Sequence, residues 1–286
     1  MNLAELRKKP HLSISAINTY IDCGLLYWFS RVEKLIPEFK TDVLVFGTVI
    51  HRILEIFYQG ILEGYKVSLA DLCEGFEKHW HDSVNEHVRF TKDNDFNSLL
   101  ELGINALNIW YKSKPGENYR LLAVEEPFSF HIPGVPLPII GAMDLIEEDP
   151  SGTIIITDHK TPAKAMSEKD VHQNQQLTIY QMAAKNNGYG DREIILKFDC
   201  LVKTRQPKFE PYYTTRTDED EMRLIRKIQL VWEGISKGIF IPNDLSWKCI
   251  NCAFASACTQ WFYGQDHKRL PSANPQGTSP TLYLSQ

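Results

Sequence analysis

The spacing of apolar positions changes character near residue 119. Before it, apolar residues recur at helical intervals; after it they first alternate, as on a strand with one buried face. Ser13 or Ser15 is placed to cap a helix through Ala16 and Tyr20 to Asp22. Cys23 and Gly24 interrupt it, and Leu25-Leu26-Tyr27-Trp28-Phe29 makes a second helical piece. Residues 34–45 read as a connection. A long helix is predicted over about 46–62, buried through Val49, Ile50, Ile53, Leu54 and Phe57, with His51 and Glu55 on one face. Two amphipathic helices over 68–112, the first capped by Ser68, form a helical insertion spanning about 65–118. Residues 121–130 then alternate as a strand that carries Glu125, Glu126 and Phe128, and the proline-rich 133–138 is a loop or edge turn. Two strands joined by a turn follow at 141–161. A helix over about 171–187 comes after a capping signal at 167–170. Strands at 192–202 and 208–215 and a helix over about 217–237 complete the pattern. The expectation is an α/β fold, one domain over 1–263, with a mobile tail at 264–286 rich in Ser, Pro, Gly and Gln.

The hairpin reads GAMDLIEEDPSGTIIITDHKT, with Asp-Pro-Ser-Gly as its turn. Side chains two apart on a strand share a face, so Asp158 and Lys160 point the same way. Pairing of the two strands brings Asp144 beside them. Two carboxylates suit a hard cation such as Mg²⁺ or Mn²⁺, and an ammonium beside them suits charge that builds on a phosphate. Taken singly, Asp158 and Lys160 read as solvated strand-end residues and His51 as a core-edge histidine. Their order along the chain gives them weight.

Charge and cysteine content narrow the reading. A formal net charge of −5 supplies no global attraction for nucleic acid, so any DNA contact rests on a local basic surface and on bound metal. Tyr27, Trp28, Lys203 and Arg205 are candidates to track a strand. The start of the chain has no apolar signal core, and no uninterrupted apolar run reaches the ~18 residues of a membrane helix. A cytoplasmic protein is the expectation, with no membrane partner. Of six cysteines, Cys249, Cys252 and Cys258 cluster as C-x2-C-x5-C, a pattern of metal or cluster binding. Cys23 is the candidate fourth ligand. Zinc and an iron–sulfur cluster both remain open on spacing alone.

Together these segments resemble the RecB-type nucleases of the PD-(D/E)xK superfamily, and within them the iron–sulfur exonucleases, which include CRISPR-associated RecB-like exonucleases and the AddB nuclease domain. Residues 13–23 are similar to the family's S-x-S-x-(apolar)-x-x-Y/F-x-x-C opening. Gly47 to His51, with Leu54 and Glu55, resembles its G-x-x-x-H-x-x-L-E helix. Gly141 to Asp144 and Asp158 to Thr161 resemble its G-x-x-D and D-x-K-T strands. Gln176 to Tyr180 resembles its Q-x-x-x-Y helix, and Cys249, Cys252 and Cys258 its terminal cysteines. Gly24 stands where proline is common, which touches a turn. His159 stands where tyrosine is common, its side chain expected on the face opposite Asp158.

The resemblance implies a restriction-endonuclease-like core: a central mixed sheet flanked by helices, with the 240–260 segment clasped to Cys23. It implies that His51, Asp144, Asp158 and the carbonyl of His159 hold Mg²⁺ or Mn²⁺. Lys160 is then catalytic, and Gln176 and Tyr180 position DNA or the lysine. Cys23, Cys249, Cys252 and Cys258 bind a 4Fe–4S cluster, zinc being the less favoured occupant. The implied activity is metal-dependent hydrolysis of DNA, by an exonuclease acting on single-stranded ends in repair, recombination or CRISPR-type processing, with protein partners in such an assembly. The competing reading is a non-catalytic iron–sulfur module that binds DNA or a partner within a larger complex.

Overall fold

The structure is a computed structural model that describes residues 2–91, 93–113 and 119–264. Helix α1 (Leu3–Leu6) leads to α2 (Ile14–Asp22), capped by Ser13, whose hydroxyl accepts from the Ala16 N–H. After Cys23 the chain restarts as α3 (Gly24–Tyr27) and a π-helical turn (Trp28–Val32). Strand β1 (Lys40–Thr41) feeds α4 (Asp42–Leu62); α5 (Leu69–Ser83), β2 (Val88–Arg89) and α6 (Phe96–Ser113) follow. The sheet strands are β3 (Arg120–Phe130), β4 (Ile139–Glu148) and β5 (Ile154–Lys160), then, after α7 (Glu168–His172) and α8 (Gln175–Ala184), β6 (Ile194–Val202) and β7 (Lys208–Thr214). Helix α9 (Asp218–Ser236) and the short α10 (Ala255–Phe262) close the described chain. The expected mobile tail lies outside the described residues, apart from Gly264.

The five strands lie in sequence order, β3-β4-β5-β6-β7. All neighbours are antiparallel except β5 and β6, which the α7–α8 crossover makes parallel. This explains why residues 154–156 read as an unbroken isoleucine run rather than an alternation: β5 is central and covered on both faces. One face packs on α2, α8 and α9 through Ile156, Phe198, Leu177 and Ile228. The other packs on α4, α5 and α6 through Leu145, Leu201, Ile50 and Trp110. The observed architecture is the mixed, helix-flanked sheet expected.

Two boundaries move for physical reasons. Helix α4 begins at Asp42, inside the expected connection. Thr41 caps it, and the buried Asp42 carboxylate accepts from Val43 N (2.8 Å), Thr91 N (3.1 Å), Thr91 Oγ1 (3.0 Å) and Asn94 Nδ2 (2.8 Å). Burial raises the pKa of this acid, but the hydrogen bonds outweigh it and the net shift is downward. The expected helix over 171–187 is broken at Gln173–Asn174. Asn174 caps a fresh start, accepting from Gln176 N (2.9 Å) and Leu177 N (3.4 Å), so Gln176 stands in the first turn of α8. Among the described residues α4 is the one helix long and apolar enough to span a bilayer by composition, yet half of that stretch is buried in the fold.

Residues 23–35 meet residues 240–258 away from the sheet. Leu25, Phe29, Leu35 and Ala257 form a small core with Cys23, Trp28, Phe254 and Cys258 packed on it. A side chain at Gly24 would put its Cβ 2.8 Å from Ile241 N and 3.1 Å from Phe240 C, so this glycine is what lets the 240–241 backbone pass. Tyr27 stacks on Phe240 with centroids 6.2 Å apart, and Trp28 packs on Phe29 and Phe240. These two aromatics therefore pack into the closure.

Candidate active site

The hydrogen-bonded register of β4 with β5 runs from Glu148 opposite Ile154 to Leu145 opposite Thr157 and stops there. The next pair is Asp144 and Asp158. Beyond the ladder the His159 N–H turns to the Asp144 carboxylate, donating to Oδ2 at 2.9 Å. The opening strands thus leave two carboxylates at a fork. Alternation on β5 sends Asp158 and Lys160 toward α8, while His159 faces α4, where its ring stacks on Tyr58 (centroids 5.8 Å) and meets the edge of His51 (6.1 Å). The expected face for the His159 side chain is the one observed.

Helices close the fork from both sides. From α4, His51 Nδ1 lies 3.3 Å from Asp144 Oδ2. From α8, Gln176 donates through Nε2 to Asp158 Oδ1 (2.5 Å) and to Tyr180 Oη (3.1 Å), and its Oε1 accepts from Lys160 Nζ (2.9 Å). Tyr180 donates to Asp144 Oδ1 at 3.2 Å. The Lys160 ammonium is 2.7 Å from Asp158 Oδ2. Gln176 and Tyr180 reach the same groups because positions four apart share a helix face. Gly47, one turn before His51, is small because α4 passes close to the end of β5: a Cβ there would sit 3.3 Å from Thr161 Oγ1.

The fork is deeply buried, and its charges show it. Asp144 is pushed up to about 6, first by burial and then by the Asp158 charge, against the pull of His51, the His159 N–H and Lys160. Burial alone would lower Lys160, but the charge of Asp158 and then Asp144 outweigh it and hold the ammonium protonated. Burial, then the fields of His51 and Lys197, keep His159 neutral. Tyr180 is raised well above its ordinary value by burial, so it stays a donor.

The chemistry of the donors fits a hard divalent cation: two carboxylates and an imidazole. Asp158 Oδ2 is buried and paired with the Lys160 ammonium at 2.7 Å. Among the described residues no three His, Cys, Asp or Glu side chains stand close enough to enclose a metal as they are. This holds for the four cysteines as it does for the fork.

The cysteines are brought into one region. The Asn243 N–H donates to Cys23 Sγ at 3.4 Å, and Cys249 Sγ donates to Asn243 O at 3.4 Å. Burial pushes up Cys252 and Cys258, and the charges of the other cysteines add to it in both. Cys73 and Cys200 lie elsewhere, half-buried and buried.

Three residues of consequence escape sequence reasoning. Asp42 falls in the stretch that reads as a connection. Glu125 reads as one acid in an alternating strand; its carboxyl is pushed up to about 7 by burial and then by Asp144, Glu55 and Asp158. Arg216 sits in a polar Thr-Thr-Arg-Thr run, yet it is buried and fully bonded. Nε donates to Thr178 Oγ1 (2.9 Å), Nη1 to Thr214 Oγ1 and Thr215 O (both 2.8 Å), and Nη2 to Val171 O (2.9 Å) and Asn174 O (3.1 Å). It fixes the α7–α8 break and so the placement of Gln176. Arg216→Leu leaves these acceptors unpaired and is expected to lower stability by about 3 kcal/mol in urea unfolding. A loss below ~1 kcal/mol would mean that water replaces the guanidinium.

Comparison with known proteins places this geometry. The family model of the PD-(D/E)XK nuclease superfamily matches residues 11–259. The chain belongs to that superfamily. The nuclease resembles in fold the crystal structure of a candidate exonuclease from Eubacterium rectale, with a TM-score of 0.50 at 10% identity over 84% of this chain and 87% of the other. The structure of SSO0001 is also similar, with a TM-score of 0.34 and 16% identity over 85% and 93% of the two chains. No curated protein matches the sequence.

Proposed function

We propose that the nuclease is a Mg²⁺- or Mn²⁺-dependent DNA exonuclease acting on single-stranded ends. The observation that carries this is the fork itself: Asp144, Asp158 and Lys160 meet where β4 and β5 part, with His51 on one side and Gln176 and Tyr180 on the other. His51, Asp144 and Asp158, with the His159 carbonyl, would hold the cation. Bound there, a divalent cation polarises the scissile phosphate and lowers the pKa of a water. Lys160 offsets negative charge on the phosphate and orients the attacking water. Gln176 holds Lys160 and Asp158 at one separation by bonding both. Tyr180 steers Asp144. The phosphate is the reacting group, so little sequence preference is expected. Lys203, at the end of β6 with its ammonium 5.0 Å from the Phe46 ring, and the exposed Arg205 remain candidates to follow the strand. Work in repair, recombination or CRISPR-type processing, with partner proteins, belongs to the same reading.

Cys23, Cys249, Cys252 and Cys258 would hold a 4Fe–4S cluster. Four thiols brought together from residues 23 and 249–258 are a soft donor set that fits iron–sulfur or zinc. Its role is to close the fold.

The test is degradation of end-labelled single- and double-stranded DNA in Mg²⁺, Mn²⁺ or chelator. Expected is metal-dependent release of label, faster on single strands, with the labelled end reporting polarity. Metal-independent cleavage, or none on either substrate by folded protein, refutes the reading. Tight DNA binding without cleavage would favour a binding module instead.

A further inference from the structure

One stripe of α4 stays open to solvent beside the fork. Val43, Leu44, Thr48, His51 and Glu55 recur along it at helical spacing and line a groove of about 670 Å³. That volume is in the range of ligand sites. Gly47, on the same stripe, is where α4 comes against Thr161, the residue after Lys160. One turn further along, His51 Nδ1 lies 3.3 Å from Asp144 Oδ2. The groove is therefore continuous with the fork.

Its two ends differ in chemistry. Short of His51 the lining carries no charge. Val43 and Leu44 are 49% and 61% exposed there, whereas Val45, Phe46, Val49 and Ile50 of the same helix belong to the core. A single exposed aliphatic is ordinary on a protein surface. Two side by side, at the mouth of a groove that leads to the reacting groups, offer a ligand an apolar contact. Past His51 stand Arg52, bonded to Glu55 at 2.7 Å, and Glu125, which β3 presents from a residue at φ +50°. Arg52 is committed to Glu55 and Glu125 is an acid, so that end offers a phosphate chain no attraction. The substrate strand lies toward Val43 and Leu44.

We propose that Val43 and Leu44 are the base-contacting residues of the substrate groove: they receive the face of an unpaired nucleobase and so give the nuclease its preference for single strands. This rests on the DNA-hydrolysis reading above and deepens it. Every base has a flat apolar face, and a side chain reaches it only where the strand is unpaired and can be splayed open. In a duplex the neighbouring base pairs cover that face. Leu44 and His51 are two helical turns apart, about 10 Å along the axis at 1.5 Å per residue. That is about the rise of three stacked nucleotides, so the contacted base lies close to the bond that is cut. Contact with a base face reads no base identity, in keeping with little sequence preference.

The experiment is steady-state cleavage of single- and double-stranded DNA by the full chain in Mn²⁺, beside thermal unfolding. The test variant carries Val43→Thr with Leu44→Gln, which replaces apolar surface at similar size. The control is Leu230→Gln, a 49% exposed leucine on α9. Expected for the double variant are a wild-type melting temperature, kcat near wild type and a single-strand KM raised about 10-fold, toward the low end of what a base contact is worth. Its double-strand KM should not change. A single strand with abasic nucleotides at the degraded end should raise the wild-type KM by a similar factor and that of the double variant no further. Leu230→Gln should match wild type on every substrate. An unchanged single-strand KM, or an equal rise on both substrates, overturns the proposal and leaves the hydrolysis reading standing. Abasic and variant losses that multiply would mean that the pair meets something other than a base, which also overturns it. A lower melting temperature with a fall in kcat makes the pair structural and does the same. If the wild type shows no metal-dependent cleavage, the hydrolysis reading fails and takes this inference with it.

Discussion

Lys160→Ala is expected to cut metal-dependent DNA hydrolysis by roughly 10²–10³-fold while DNA binding persists, the range for removing one charge-stabilising group from a buried site. The loss corresponds to about 3–4 kcal/mol of transition-state stabilisation. Lys160 Nζ is held between Asp158 Oδ2 at 2.7 Å and Gln176 Oε1 at 2.9 Å, so its position is fixed before substrate arrives. Alanine removes the ammonium and leaves Asp158 to repel both Asp144 and the phosphate. Lys160→Arg should not rescue, because a planar guanidinium cannot take the place of a compact ammonium between those oxygens. The assay is single-turnover cleavage of end-labelled DNA beside a binding measurement. Retention of more than about a third of wild-type rate would remove Lys160 from the mechanism.

Gly24→Val is expected to detach the C-terminal segment from the N-terminal helices. The contacts it would violate are all backbone, Ile241 N at 2.8 Å, Ile241 O at 3.0 Å and Phe240 C at 3.1 Å, so no side chain can swing away. Overpacking of this kind costs about 1–3 kcal/mol. The melting temperature should fall by roughly 3–10 °C for a chain of this size. The Tyr20 hydroxyl, which donates to Ile239 O at 2.6 Å, and the Tyr27–Phe240 stack go with it. Limited proteolysis should then cut within 239–264 first. If the proposed cluster at Cys23 and the three later cysteines is present, its iron should be lost in parallel, whereas DNA hydrolysis per folded molecule should change less than in Lys160→Ala. Unchanged melting and unchanged proteolysis would show that the segment does not need this crossing.

What the sequence made legible follows from range. Asp144, Asp158 and Lys160 could be grouped because a short turn and strand alternation fix their relation within about twenty residues. Gln176 and Tyr180 were paired by helix period, but their docking onto Asp158 and Asp144 depends on an Asn174 cap that looks like any polar residue in a helical run. Asp42 was hidden because its partners, Thr91 and Asn94, lie across two helices. Gly24 was read as a matter of a local turn, and the residue it accommodates is Ile241. Glu125 gave no signal, since a positive φ on a non-glycine leaves no mark on hydrophobic period. For Asp42 and Gly24 the determinant is a tertiary neighbour, not a local preference.

The Asn243 N–H to Cys23 Sγ bond joins positions 220 residues apart in sequence, and every group of the fork lies between them. At ribosomal speeds of about 5–20 residues per second, roughly 10–45 s separate the synthesis of the two ends. Only after Thr214, the end of β7, does the growing chain hold every strand of its sheet while still lacking its closure. The order of translation therefore acts as a timer: a ribosome that stalls or aborts before residue 243 leaves an unclosed nuclease, exposed to quality-control proteases, and only a chain translated past the closure is locked.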